Sequence, residues 1–169
     1  MTPTTTVREA ILDDAEAING ILNEAILTTT ATWNWDPSSL PDRRRWLAER
    51  QEAGWPVLVA ESDGRCLGFA TYGSFRAIAG YLHTVEHSIY LDPAAQGAGV
   101  GTLLLDALER IAAERGVHVM VGLLDADNDG SLAFHAARGF ERVGFLPEVG
   151  RKFGRWLDLV LVQKTIRAS

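Results

Sequence analysis

From Leu91 to Thr102 the chain reads Leu-Asp-Pro-Ala-Ala-Gln-Gly-Ala-Gly-Val-Gly-Thr, following an alternating, strand-like run and opening a long amphipathic helix. A strand that empties through Gly97, Gly99 and Gly101 into a helix start is a device for holding an anion. Glycines let backbone N–H groups approach closely, and the helix's first unpaired amides and its dipole complete the site. Two phosphate-binding patterns are excluded here. The dinucleotide fingerprint needs its third glycine where Thr102 stands, and the nucleotide-hydrolase loop needs a Gly-Lys-Ser/Thr that this stretch lacks. A tight turn without a ligand is the plain alternative for one glycine cluster, so the rest of the chain has to decide.

A length of 169 residues suggests one domain, 1–169, with enough chain for a sizeable core. The net charge of −6 argues against nucleic acid as a general partner. It leaves room for a polyanionic cofactor, because loop amides act locally. Met1 to Thr6 has neither a basic nor an apolar segment of a signal peptide, and no apolar run approaches the ~20 residues of a membrane span. The single Cys66 allows no internal disulfide and fits a reducing cytoplasm.

Strands and helices alternate along the chain. Val7 to Ala10 reads as a strand, and Asp13-Asp14 opens a helix with Ile18, Ile21, Leu22, Ala25 and Ile26 on one face. Residues 28–37 are too β-branched and broken to continue it. A second helix runs from about Pro41 to Glu52, with Trp46 and Leu47 inward and Gly54 at its C-terminal cap. Pro56–Glu61 and Cys66–Tyr72 form a hairpin across Asp63-Gly64. Thr84–Leu91 is a strand, Gly99–Arg115 a helix ended by Gly116, and Val117–Leu124 a strongly apolar strand. Asn128–Ala137 is a short helix closed by Gly139, and strands follow at about Phe140–Phe145 and Trp156–Lys164. Strand–helix–strand units make parallel neighbours and hairpins antiparallel ones, so this order predicts an α/β fold with a mixed sheet of about seven strands flanked by about four helices.

Gln96-x-x-Gly99-x-Gly101 resembles the pyrophosphate loop of the GNAT N-acetyltransferases, and the element order is that of the GNAT fold over essentially the whole chain. Asn128-x-x-Ser131-x-x-x-His135-x-x-x-Gly139-Phe140 resembles the family's Asn…Tyr…Gly-Phe signature at the same distance beyond the loop. Further blocks are similar to one subfamily, the phosphinothricin and methionine sulfoximine acetyltransferases. They are Asn23–Ala25, Thr29–Trp33, Tyr81, Thr84–Ser88, His118–Val121 and Val149–Asp158. The last is long and carries little core patterning, so packing alone does not account for it.

The resemblance implies acetyl transfer from acetyl-CoA to an amine. The nucleophile is the neutral amine, whereas a free α-ammonium is mostly protonated near neutral pH, so a base has to take a proton. Strand alternation puts Thr84, Glu86, Ser88 and Tyr90 on one face and Val85, His87, Ile89 and Leu91 on the other. Glu86 is the expected base, because the resemblance places the matching glutamate in the substrate cleft. On pattern alone, an exposed strand glutamate accounts for it equally well. His87 is the rival, but alternation turns it away from Glu86 and favours a buried, hydrogen-bonded structural role. His83 and His87 would make half a metal site, yet no third ligand stands at a suitable spacing, and no metal is expected. His135 occupies the place of the wider family's tyrosine, which protonates the departing thiolate. Imidazole does that as a cation or by steering a water; otherwise it caps the cofactor groove without moving a proton.

The resemblance further implies that the pantetheine arm runs along Ile89, Tyr90 and Leu91, paired with backbone as an extra strand would be. The pyrophosphate would sit on the amides of Gln96, Gly97, Ala98, Gly99, Val100, Gly101 and Thr102, and Asn128 and Ser131 would contact the pantetheine. The implied acceptor wall comprises Glu86, the Phe75–Tyr81 loop with Arg76 and Gly80, the Thr28–Trp33 segment with Thr30, and the Lys152–Trp156 loop with Phe153. Arg76 suits an α-carboxylate because guanidinium grips carboxylate bidentately. Trp33, Phe153 and Trp156 are candidates for an aromatic pocket, although core packing is the preferred role for Trp156. Leu22 and Leu82 depart from the subfamily pattern on the presumed acceptor side, which bears on substrate preference rather than reaction type. A lone Cys66 at a strand start reads as a structural thiol, so direct transfer is favoured over an acetyl-enzyme.

The sequence thus reads as a cytoplasmic, acetyl-CoA-dependent N-acetyltransferase acting on the amino group of a small amino acid analogue. L-methionine sulfoximine, L-methionine sulfone and phosphinothricin lead the acceptors. A homodimer is expected from the family, with no nucleic-acid or membrane partner. The alternatives are an acetyltransferase for another small amine or a peptide N-terminus, and a non-catalytic acyl-CoA sensor. Glu86 together with an intact Gln96–Gly101 loop argues against the sensor.

Overall fold

Alternating apolar residues and well-placed turns build a seven-stranded sheet with helices on both faces. The computed structural model describes residues 4–167, so the reading of Met1–Pro3 lies outside it. The elements are β1 (Thr6–Glu9), α1 (Ala15–Thr28), α2 (Leu40–Glu52), β2 (Val57–Ser62), β3 (Arg65–Ser74) and β4 (Thr84–Leu91), then α3 (Val100–Glu114), β5 (Val119–Asp125), α4 (Asp129–Ala137), β6 (Glu141–Lys152) and β7 (Arg155–Thr165). The strand order is β1-β2-β3-β4-β5-β7-β6, and among the described residues β4–β5 is the one parallel pair. The mixed sheet and its four helices are those the sequence predicts.

Local chemistry explains the boundaries. Asp63 and Gly64, at φ of 50° and 73°, form the two-residue turn that pairs Ser62 with Arg65. Ser39 caps α2 by accepting from the Asp42 amide at 3.2 Å, and Asn128 caps α4 by accepting from the Ser131 amide at 3.0 Å. One core layer joins α1 and α2 to the sheet through Ile18, Ile26, Leu47, Val59 and Phe69. The other joins α3 through Leu104, Leu105, Leu108, Met120 and Val160. Each such side chain contributes about 1.5–3 kcal/mol on burial. The alternation of β4 threads both layers, with Val85 in the α3 core and Tyr90 against the α1/α2 core.

β4 keeps the pattern-based bounds, β1, β2, β3 and β7 shift by one or two residues at their ends, and the departures at β5 and β6 have identifiable causes. β5 starts at Val119 rather than Val117, because the His118 and Val119 amides donate to the His83 carbonyl and turn the chain into the sheet. β6 continues to Lys152 rather than stopping near Phe145. Pro147 and Gly150 look like loop residues, but β6 lies at the sheet edge and shifts register between Leu146 and Gly150. An edge strand with a bulge tolerates both.

Candidate active site

The cleft begins where the parallel pair fails. β4 and β5 pair from Thr84↔Val119 to Glu86↔Val121 and then separate. β4 stays bonded to β3 as far as Leu91, and β5 to β7 as far as Asp125. Between them opens a cleft of about 610 Å³, walled by residues 88–91 of β4 and 122–125 of β5 and bordered by α4 and the end of α1. Among the described residues the β4 edge facing this gap has no strand partner, so its backbone is free to pair with an extended chain. The His87 ring fills the vertex, with Nδ1 2.9 Å from the Val121 carbonyl. Gly122 makes room for it: a Cβ there would lie 2.9 Å from His87 Cε1.

At the cleft's other end the glycine loop is built for an anion. Gly97 and Gly99 stand at φ of 76° and 80°, a region that costs a side-chain-bearing residue about 1–2 kcal/mol. Gly99 precedes α3 without a side-chain cap, and the first turn of the helix carries no acidic residue. The amides of Val100, Gly101 and Thr102 therefore lack helical partners, and the first helical bond runs from the Leu103 amide to the Gly99 carbonyl at 3.2 Å. Gln96, Gly97, Gly99, Val100, Gly101 and Thr102 border the cleft, as do Asn128 and Ser131; Ala98 does not. Neutral amides at a helix N-terminus, continuous with a slot along an unpaired strand edge, fit a diphosphate joined to an extended arm.

Glu86 sits in the last β4–β5 pair, just outside the cleft border, with Ser88 next along the same face at the cleft wall. Partial burial pushes its carboxyl above the ordinary range. His87 is buried on the opposite face, as alternation implies, and meets His135 with Nε2 atoms 2.9 Å apart. His135 borders the cleft, and its Nδ1 lies 2.7 Å from the Ser131 carbonyl. Burial pushes both imidazoles below their usual value, His87 well below, with His135 adding to its shift.

The presumed acceptor side is assembled by side chains from distant segments. Lys152 Nζ donates to the Thr29 and Thr32 carbonyls at 2.6 and 2.7 Å, so the buried ammonium clamps the segment after α1 rather than pointing free into the cleft. Burial also lowers its pKa. Thr30 Oγ1 donates to Asp125 Oδ2, and Trp35 Nε1 donates to the Arg151 carbonyl at 2.8 Å. The Trp33 ring lies on Gly150, where a Cβ would come within 2.3 Å of it. Phe75 and Tyr81 pack edge-on at 5.7 Å, with the exposed Arg76 guanidinium 6.0 Å from the Tyr81 ring and Gly80 in the short turn between. This loop lies outside the cleft border, as do Lys152 and Phe153.

Other residues separate into place. Trp156 is 57% exposed beneath the Arg151 guanidinium, which corrects the expectation of core packing: its neighbour Leu157 takes the buried face. Leu22 is buried in α1, and Leu82 is exposed. Cys66 lies outside the cleft border, with its thiol on the Gly68 carbonyl at 3.5 Å and burial pushing its pKa up. Among the described residues no group of three or more His, Cys, Asp or Glu side chains is placed to hold a metal ion, and no helix is long and apolar enough to cross a membrane. Sequence reasoning missed Asp125, Gly122, Gly150 and the His87–His135 contact. Gly122 carried a signal, a small residue within an otherwise apolar strand.

Comparison with known proteins places the chain in a family and its fold among solved structures. Residues 20–140 match the model of the Acetyltransferase (GNAT) family. The chain is 43% identical over 158 residues to an L-methionine sulfoximine/L-methionine sulfone acetyltransferase of Pseudomonas aeruginosa, covering 93% of this chain and 92% of that one. A ribosomal-protein-alanine N-acetyltransferase structure from Brucella melitensis superimposes with a TM-score of 0.93 at 44% identity, covering 95% and 99% of the two chains. A GNAT superfamily phosphinothricin acetyltransferase from Sinorhizobium meliloti, in complex with AcCoA, superimposes with a TM-score of 0.92 at 33% identity, covering 99% and 90%.

Proposed function

This chain belongs to the GNAT family of acetyltransferases, and on that footing we propose that it acetylates the amino group of a small amino acid analogue, with L-methionine sulfoximine, L-methionine sulfone and phosphinothricin as lead acceptors. One observation carries the reading: an amide-lined anion site and the slot along the unpaired β4 edge form one cleft, which ends at the last β4–β5 pair, where half-buried Glu86 stands just beyond its border. Acetyl-CoA supplies an activated acetyl thioester when bound. The amides around Gly97, Gly99 and Gly101 hold its diphosphate, with Gln96, Ala98, Val100 and Thr102 completing the loop. The edge of Ile89, Tyr90 and Leu91 lies along its arm, beside Asn128 and Ser131.

Glu86 takes the proton of the acceptor ammonium at a carboxylate oxygen, and its raised pKa brings the base closer to the amine it has to serve. Arg76 pairs with the acceptor carboxylate, near Phe75, Gly80 and Tyr81. Thr30 and Trp33 form the opposite wall, supported by Lys152 and Phe153. Cys66 lies outside the cleft border with a raised pKa, which supports direct transfer over an acetyl-enzyme. His135 serves the proton balance on the far side. We read the working form as a homodimer, because Val143, Phe145, Leu146 and Val149 leave an apolar strip exposed along edge strand β6. The wild type is expected to sediment as a dimer and Phe145→Asp as a monomer; a monomeric wild type contradicts the dimer, and a variant that stays dimeric contradicts the β6 interface.

The test is thiol release from acetyl-CoA with a panel of amines: methionine sulfoximine, methionine sulfone, phosphinothricin, common amino acids, spermidine and a short peptide beginning with alanine. Turnover on the tetrahedral sulfur and phosphorus analogues is expected. Turnover on the peptide or spermidine alone sinks the acceptor assignment. Acetyl-CoA binding with no turnover on any member favours a sensor.

A further inference from the structure

Asp125 ends β5 at the cleft border, and its buried carboxylate makes no ion pair among the described residues. The two oxygens serve different parts of the molecule. Oδ1 accepts from the Asp127 amide at 3.0 Å, an aspartate closing the turn that follows it. The Asp125 carbonyl accepts from the Asn128 amide, also at 3.0 Å, so this residue fixes the exit of β5 into α4 twice. Asn128 then caps α4, and both Asn128 and Ser131 stand on the cleft border. Oδ2 accepts from Thr30 Oγ1, which lies 95 positions away in the chain. Thr30 belongs to the segment after α1, and its neighbours Thr29 and Ala31 border the same cleft. Lys152 holds that segment to the edge strand β6, whereas Asp125 holds it to β5, a wall of the cleft. A buried carboxylate short of hydrogen bonds is costly, so each oxygen keeps its donor in place.

We propose that Asp125 is a positioning residue that ties the two sides of the cleft together. Through Oδ1 it sets the turn that presents Asn128 and Ser131 to the acyl donor, and through Oδ2 it sets the 29–32 segment that walls the acceptor. The inference deepens the acetyl-transfer reading, from which donor and acceptor take their names. Both oxygens are engaged by donors of the protein itself, so the carboxylate orders the site and moves no proton. A change at Asp125 therefore reaches both substrates, and a change at the Thr30 hydroxyl reaches the acceptor alone.

Amide hydrogen exchange read by NMR needs no turnover, so it separates this proposal from the choice of acceptor. In Asp125→Ala the amides of Asp127, Thr29 and Ala31 are expected to exchange about tenfold faster, and in Thr30→Val those of Thr29 and Ala31 alone. An unmoved Asp127 amide in Asp125→Ala overturns the first link, and unmoved Thr29 and Ala31 amides in Thr30→Val overturn the second. With the amine that turns over, Thr30→Val is expected to raise the acceptor KM about tenfold and leave the acetyl-CoA KM within about twofold, while Asp125→Ala raises both. The double variant is expected to keep the acceptor KM of Asp125→Ala, because the two changes remove one bond. Additive increases place the Thr30 hydroxyl on the acceptor itself and overturn the link. Asp125→Asn keeps an oxygen for the Asp127 amide and offers an NH2 group that donates to Thr30 Oγ1, so kcat and both KM values are expected within about threefold of wild type. A kcat loss of roughly a hundredfold in Asp125→Asn puts the charge in the reaction and overturns the positioning role. Should Asp125→Ala not fold, Thr30→Val and Asp125→Asn carry the test.

Discussion

The two halves of the cleft are made of different material. The mouth is backbone: glycines in left-handed conformations, amides at the start of α3, and the unpaired edge of β4. The opposite half is walled by segments that side chains behind it hold in place, with Lys152 on the Thr29 and Thr32 carbonyls, Thr30 on Asp125, and Trp33 on Gly150. A backbone site recognises what every donor molecule shares, a diphosphate and an extended arm. A side-chain site changes with each substitution, which suits the part of a family that varies in its acceptor. Glu86 stands at the vertex near the junction of the two.

Substitutions separate these contributions. Glu86→Gln has the largest expected effect, a fall in kcat of roughly 10²–10⁴-fold with acetyl-CoA affinity retained, checked by steady-state rates and calorimetry. Because burial raises the Glu86 pKa, the base is lost to protonation as pH falls through that raised value. The acid limb of kcat/KM is therefore expected above the ordinary carboxylate range, and its disappearance in Glu86→Gln checks the assignment. Gly99→Val puts a β-branched residue at φ of 80° and a side chain at the amide site. A cost of about 1–2 kcal/mol or more raises the KM for acetyl-CoA about tenfold, and the acceptor KM stays within twofold.

Lys152→Met reverses that pattern. It leaves two buried carbonyls without their charged donor, at about 1.5–3 kcal/mol. The acceptor KM is expected to rise severalfold and the melting temperature to fall, with the acetyl-CoA KM unmoved. Arg76→Ala is the mildest. Arg76 is exposed, so losing its carboxylate partner costs about 1 kcal/mol, read as an acceptor KM about fivefold higher with no change in thermal stability.

The same division decides what was legible in the sequence. The mouth lies within a dozen residues, and positive-φ glycines before a helix are a local signal, so Gln96–Thr102 reads directly from the chain. The alternation of β4 likewise gives the opposed faces of Glu86 and His87. The acceptor half joins residues that only the sheet brings together: Lys152 and Thr29 are 123 positions apart, Thr30 and Asp125 are 95, and His87 and His135 are 48. The family resemblance makes Lys152 a substrate contact, whereas the fold spends its charge on a loop. Trp156 misleads for a related reason. Its size suggests the core, but adjacent strand residues face opposite ways, and Leu157 holds the inner position.

A crystal structure with coenzyme A and L-methionine sulfone bound together tests the two-material account most directly. The account expects the diphosphate on the amides of residues 97–102, the arm along residues 89–91, and the sulfone's amino group turned toward Glu86 between the 28–33 segment and the Phe75–Tyr81 loop. A sulfone whose amino group sits on the His135 side, away from Glu86, contradicts it.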